Sequence, residues 1–220
     1  MPLAIFDFDG TIYQGETLRL FLRVLGRDER KRPAVKRYFI LHAPGYLCYR
    51  LGLWRLRMMT LAMKGLCGML KGMSGEELDA YFHRCLVEAK PGFNPALLNR
   101  LEAHLAAGDR TVLLSGAFSR FLALVAKELG ISHWLGTELE TDRCSGEMGK
   151  HCIGQAKLEA LQVFLHNQEK VEAGFNLSDA YAYTDGLRDL SLLSLVDHPV
   201  AVNPDKGLRK EAQKRGWEII

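Results

Sequence analysis

Near its start the chain carries a run of apolar, strand-forming residues that ends in two carboxylates one residue apart. Leu3, Ala4, Ile5 and Phe6 lead to Asp7, Phe8 and Asp9, and Gly10-Thr11 then turns the chain. So apolar a strand belongs inside a sheet. An ionised carboxylate taken there without a partner costs several kcal/mol. The remaining chain must therefore bring cations to Asp7 and Asp9, or bind one. Residues i and i+2 of an extended strand face the same side, so the two carboxylates can share a task.

The pattern further along sets the context. Apolar residues recur at helical spacing from Thr17 to Leu25, after Ser74 with Glu76 and Glu77, from Pro95 to Ala107, from Ser119 to Leu129 and over 157–165. Short strand-like runs lie between them: RTVLL at 110–114 ending in Ser115-Gly116, a weak strand at 137–140, AYAYT at 180–184 ending at Asp185, PVAV at 199–202 and a final WEII. Strands alternating with helices predict an α/β fold with a parallel sheet flanked by helices. Residues 15–92, almost wholly helical, separate the first strand from the next. They predict an inserted helical cap (15–92) on an α/β core formed by 1–14 and 93–220.

Composition narrows the class. The 220 residues, 48% apolar and 25% charged, suit a soluble globular chain with a full core. Five cysteines, with no CxxC pair, argue against a disulfide framework or zinc knuckle and for a reducing cytoplasm. An apolar strand beginning at residue 3 leaves no space for a secretory signal. The longest charge-free piece of the cap, 38–49, has twelve residues including Pro44, against the ~20 a membrane span needs. Charge is unevenly spread: residues 19–71 hold thirteen Lys/Arg against Asp28 and Glu29, or +11, which leaves −8 elsewhere in a chain of net +3.

In open parallel sheets ligands bind at the carboxyl ends of strands. Asp7, Asp9, Ser115 and Asp185 all fall there, and Lys157 opens a helix between the last two. Three carboxylates and one lysine call for a further cation, and an all-oxygen donor set suits Mg²⁺ better than zinc.

The set DFDGT (7–11), LLSG (113–116), Lys157 within GQAKLEAL and YTDGLRD (183–189) resembles the four motifs of the haloacid dehalogenase superfamily. The helical insertion after the first motif, TELE (137–140) and HPVAVNPD resemble its phosphoserine-phosphatase-like subfamily, IB. The resemblance covers about 3–25 and 92–220, and is much weaker over 30–72. It implies a Rossmann-like core and a Mg²⁺-dependent phosphomonoesterase. Asp7 would be the nucleophile and Asp9 the general acid and base. Ser115, Gly116 and Lys157 would bind the phosphoryl group. Asp7, Asp9 (through its backbone carbonyl), Asp185 and Asp189 would serve the metal. The acid at position 9 favours phosphate transfer over carbon–halogen cleavage.

Each residue also has a plainer reading. Ser115 could cap the helix beginning near Ser119, Asp189 could be a surface acid in a first helical turn, and Lys150 competes with Lys157. Glu16, nine residues after Asp7, is placed like the glutamate that meets the substrate amine in phosphoserine phosphatases, or is simply an acid at a helix start. Gly10, Ala117 and Arg188 depart from that subfamily's pattern and bear on pocket shape. His151 and Cys152 lack a second pair of ligands for zinc. The expected substrate is a small phosphorylated metabolite such as phosphoserine or another amino-alcohol phosphate.

The basic, apolar cap (Arg50, Arg55, Arg57, Lys64 and Lys71 among Trp54, Met58, Met59 and Leu61) leaves three roles open. It could rest on anionic lipid at the inner membrane face, making the protein a phospholipid or lysophospholipid head-group phosphatase. It could reach a second anionic group of the substrate, or it could be a solvated face. Phosphotransferase or mutase chemistry, and a non-catalytic membrane- or partner-binding relative, are the remaining alternatives. No nucleic-acid module is evident, and the oligomeric state is not legible.

Overall fold

The computed structural model describes residues 2–50, 54–139, 143–169 and 177–220, without the side chains of 46–50 and 55. The side chains of Cys48, Arg50 and Arg55, and the whole of Glu140 in TELE, therefore lie outside what is described.

Six strands form one parallel sheet in the order β3-β2-β1-β4-β5-β6. They are β1 (Leu3–Phe6), β2 (Arg110–Phe118), β3 (His133–Thr137), β4 (Tyr181–Thr184), β5 (His198–Ala201) and β6 (Glu218–Ile219). β1 is central and pairs with β2 (Ile5 opposite Val112) and with β4 (Ile5 opposite Ala182). Between β1 and β2 the chain forms α1 (Thr17–Leu25), α2 (Arg32–Arg50), α3 (Arg55–Leu70) and α4 (Gly75–Ala89), followed by a 3₁₀ turn and α5 (Pro95–Ala107). The later crossovers use α6 (Ser119–Leu129), α7 (Gln155–Glu169), the short α8 (Leu190–Leu193) and α9 (Lys206–Arg215). This is the parallel α/β architecture expected from the alternation.

Period-two alternation sends Ala4, Phe6 and Phe8 to one face of the sheet and Leu3 and Ile5 to the other, and each face holds its own apolar cluster. The first cluster continues into the inserted helices. Phe21 of α1, fully buried, lies with its ring centroid 5.8 Å from Phe118, 5.0 Å from Phe121 and 5.4 Å from Phe82. Tyr81 donates its hydroxyl to the Phe21 carbonyl at 2.8 Å. α1 and α4 are thereby built into the same core as β1 and β2, at about 1.5–3 kcal/mol for each large apolar side chain buried.

Local chemistry explains most boundaries. Ser74 and Glu77 form a reciprocal capping box at the start of α4, as the sequence signal implied. Asn94 caps α5 with Pro95 in its first turn, and Gly108 closes that helix at φ 77°, the conformation glycine adopts without strain. Two strands differ from expectation. β2 continues through Ser115-Gly116 to Phe118, with a register shift between Leu114 and Phe118; the irregularity absorbs residues that read as a stop. β3 occupies 133–137, not 137–140: this edge strand exposes Trp134 and has no clean alternation, so its pairing to β2 rather than its pattern decides its place.

Candidate active site

The carboxyl ends of β1, β2 and β4 bring the charged residues together. Asp7 follows β1 and is 4% exposed. Its described contacts all fall on Oδ1, which accepts from the Phe8 N–H at 2.7 Å and pairs with Lys157 Nζ at 2.9 Å. Lys157, in the first turn of α7 and 4% exposed, also donates to Asp189 Oδ2 at 3.0 Å. Asp189 accepts a second bond on that oxygen from Thr184 Oγ1 at 2.9 Å. Asp189 is thus a buried partner of the lysine, not a surface acid. Lys150 is exposed and pairs with Glu159, so it is Lys157 that meets the carboxylates.

Asp9 is held differently. The Thr17 N–H donates to its Oδ1 at 2.9 Å and the Thr17 hydroxyl to its Oδ2 at 2.8 Å. Thr17 is the first residue of α1 and is almost fully buried. Gly10, at φ 75°, lets the backbone pass beside Asp185, where a Cβ would overlap the carboxylate. Ser115 is buried at the turn of β2 and accepts from the Ala117 N–H at 3.3 Å; it does not cap α6, which has no side-chain cap. Gly116 lies beside it, its carbonyl taking the Thr137 hydroxyl at 2.8 Å. Glu16 lines the same cavity, but its carboxylate is half exposed and pairs with Arg19 at 2.9 Å.

The electrostatics follow from burial. Asp9 is pushed up to about 7 by desolvation, against the Thr17 hydrogen bonds that lower it and with Asp7 adding to the rise. Asp185 is likewise raised to about 7 by burial and then by Asp7. Burial raises Asp7 too, and Lys157 offsets that only in part. Asp189 is held below the usual carboxylate range, because Lys157 overcomes its burial. Burial alone would pull Lys157 down, but Asp189 and Asp7 outweigh it and hold the ammonium above the ordinary lysine range.

Lys157, with the Arg188 guanidinium 4.0 Å from Asp185 Oδ1, does not satisfy this many carboxylates. Asp185 Oδ1 and Asp189 Oδ1 are buried without a hydrogen-bond partner, and such orphaned atoms are expensive. Among the described residues no group of three or more His, Cys, Asp or Glu forms a ready cage for an ion. Mg²⁺ does not need one, since it is commonly held by one or two carboxylates together with waters and substrate phosphate. The oxygen-only donor set and the orphaned oxygens fit that ion.

Several residues that take part here were missed from sequence. Thr17 clamps Asp9 and Thr184 orients Asp189, and neither is marked by more than its place beside a candidate. His151 lines the cavity, its Nδ1 3.1 Å from Thr60 Oγ1 of α3. Burial lowers it to about 4.

Acids gathered at the carboxyl ends of a parallel sheet lie where open α/β sheets bind their ligands. The chain matches the family described as haloacid dehalogenase-like hydrolase over residues 4–194, and it belongs to that family. It is 36% identical over 152 residues to a histidinol-phosphatase of Neisseria meningitidis, covering 67% of this chain and 68% of that protein. It is 36% identical over 124 residues to the phosphoserine phosphatase SerB1 of Mycobacterium tuberculosis, covering 54% of this chain and 38% of that one. The match to a probable phosphatase of M. tuberculosis spans 41% of that relative's length. Among solved structures, a protein of unknown function from Bordetella pertussis Tohama I superposes with a TM-score of 0.83 at 26% identity, covering 100% of this chain and 97% of that one. An apo phosphoserine phosphatase shares the fold, with a TM-score of 0.60 at 18% identity over 96% of this chain and 90% of that one.

Proposed function

We propose that the protein hydrolyses phosphomonoesters through an aspartyl-phosphate on Asp7. The observation that best supports this is the Lys157 ammonium joining Asp7 Oδ1 to Asp189. It fixes one oxygen of the nucleophile and leaves the other free of the described contacts.

In the first step a bond forms between an Asp7 carboxylate oxygen and phosphorus as the phosphorus–oxygen bond to the alcohol breaks. Asp9, raised to about 7, gives its proton to the departing alkoxide. In the second step a water gives a proton to Asp9 as its oxygen bonds to phosphorus, and the bond between phosphorus and Asp7 breaks, releasing inorganic phosphate and restoring both carboxyl groups. Lys157, the Ser115 hydroxyl and the Gly116 N–H would hold the phosphoryl oxygens. Asp7, the Asp9 carbonyl, Asp185 and Asp189 would hold Mg²⁺, which when bound supplies positive charge against the carboxylates and the phosphoryl group. The inserted helices over the strand ends would act as the cap.

For the body of the substrate, relatives named histidinol-phosphatase and phosphoserine phosphatase support an amino-alcohol phosphate, whose amine Glu16 would meet. The pairing of Glu16 with Arg19 runs against that role.

Release of p-nitrophenol from its phosphate with Mg²⁺, together with acid-stable ³²P retained on the wild-type chain, tests the reaction. Asp7→Asn should lose both, and turnover surviving in that variant would overturn the mechanism.

A further inference from the structure

The site opens into a cavity of about 1260 Å³, larger than the ~300–1,000 Å³ that houses drug-sized ligands. Phosphoserine would leave most of it empty. Away from Asp7 much of the wall is apolar, with Leu18 and Leu22 from α1, Val35 and Tyr38 from α2, and Met58 and Met63 from α3. Cations line another part of the cavity: Arg23 and Arg27 of the α1 end and Lys36 of α2.

The apolar lining does not stop at the mouth. Phe39, Leu41 and Leu61 line the cavity and yet are 56%, 62% and 45% exposed. Ile40, beside Phe39 in α2, and Leu56, which shares a smaller pocket with Leu61, are 75% and 48% exposed. Lys36, Arg37, Arg57 and Lys64, all exposed, are interleaved with them. Large apolar side chains with basic neighbours are the composition of a surface that lies on anionic lipid. Here that surface is continuous with the catalytic cavity.

We propose that the cavity seats the apolar chain of an amphiphilic phosphomonoester drawn from an anionic bilayer. The phosphate faces Asp7 and the chain lies between α1, α2 and α3. The mouth formed by 39–41, Leu56 and Leu61 rests on the lipid surface. This deepens the phosphomonoesterase reading and rests on it. Transfer of a chain from water into such walls rewards each buried methylene by about fourfold in affinity, which a site shaped for a small polar substrate would not do.

The test is a series of ethyl, hexyl and decyl phosphates, kept below micelle formation and run beside p-nitrophenyl phosphate. The expected result is kcat/KM rising with chain length by at least tenfold from ethyl to decyl. Phe39→Asp/Leu61→Asp, placed at exposed positions so that the fold is spared, should reduce the decyl-to-ethyl ratio. A flat series beside good p-nitrophenyl phosphate turnover would overturn the proposal and leave the phosphatase reading standing. If no ester is hydrolysed, the phosphatase reading fails, and calorimetry of decylphosphonate against ethylphosphonate decides the cavity: equal binding overturns the proposal, tighter decyl binding supports it. Sedimentation with vesicles of phosphatidylcholine and phosphatidylglycerol, but not of phosphatidylcholine alone, is the expected sign of docking. Absence of binding to either at low salt would overturn the bilayer as source.

Discussion

Thr17 grips both oxygens of Asp9, with its backbone N–H on one and its hydroxyl on the other. The proposed proton donor is therefore positioned by the first residue of α1, not by the strand that precedes it.

Thr17→Val keeps the backbone bond and the side-chain shape but removes the hydroxyl. The expected outcome is a fall in kcat of about ten- to a hundredfold, a part of what a general acid contributes, with KM little changed. The Thr17 hydroxyl bond lowers the pKa of Asp9, so its loss should also move the limb of the pH–rate profile that reports Asp9 to higher pH. Steady-state kinetics across pH measures both effects.

Removing Lys157 strands two buried carboxylates. Lys157→Met should destabilise the fold by about 3–5 kcal/mol and abolish turnover, whereas Asp7→Asn should abolish turnover with a smaller loss of stability. Urea unfolding of the two variants followed by circular dichroism checks the contrast. Equal stability of Lys157→Met and wild type would show that the ion pair contributes little.

Asp185 Oδ1 and Asp189 Oδ1 have no hydrogen-bond partner, although Arg188 Nη2 lies 4.0 Å from the first, and an ion that satisfies them should stabilise the fold. Mg²⁺ at a hundred times its dissociation constant should add about 2.7 kcal/mol, read as a rise in Tm. In Asp185→Ala that rise should shrink or vanish. An unchanged response would place the ion elsewhere.

The His151 imidazole, lowered from 6.5 to about 4 by burial, should stay neutral throughout the range where most histidines titrate. The unfolded chain takes up a proton near pH 6.5 that the fold refuses until about 4. The stability this neutral group contributes is therefore whole above 6.5 and drains away as pH falls between those two values. NMR titration of the ring should show the low midpoint, and His151→Gln should flatten that part of the stability–pH curve.

Glu16→Gln distinguishes the two substrate readings. An amine partner lost at Glu16 should raise KM for histidinol phosphate or phosphoserine by about tenfold or more, as expected for a charge-assisted hydrogen bond worth ~1.5–3 kcal/mol. With Glu16 serving only Arg19, KM should move by less than about threefold, within what exposed ion pairs usually contribute.

The parts of the fold that were legible in sequence are those where one local signal points one way. The apolar strand before Asp7, the Ser74–Glu77 box and the Gly108 and Gly130 helix stops each act within a few residues, and each is where the structure has it. β3 was displaced because an edge strand takes its place from its neighbour, which no local pattern records. At the candidate site, Asp7, Ser115 and Asp185 were singled out from their position after apolar runs, and the structure places them at neighbouring strand ends. Thr17 was missed because its partner Asp9 is eight residues away across a turn whose path the sequence does not give. The contact of Thr60 with His151 joins residues 91 apart, and only tertiary packing brings them together.

Because β1 lies mid-sheet with a partner on each side, Asp7 rides on the segment whose amides should exchange last with deuterated solvent. Catalytic competence toward a minimal ester should persist on warming until the whole molecule melts. Discrimination among longer substrates, lodged in α2 and α3 at the periphery, should fade sooner.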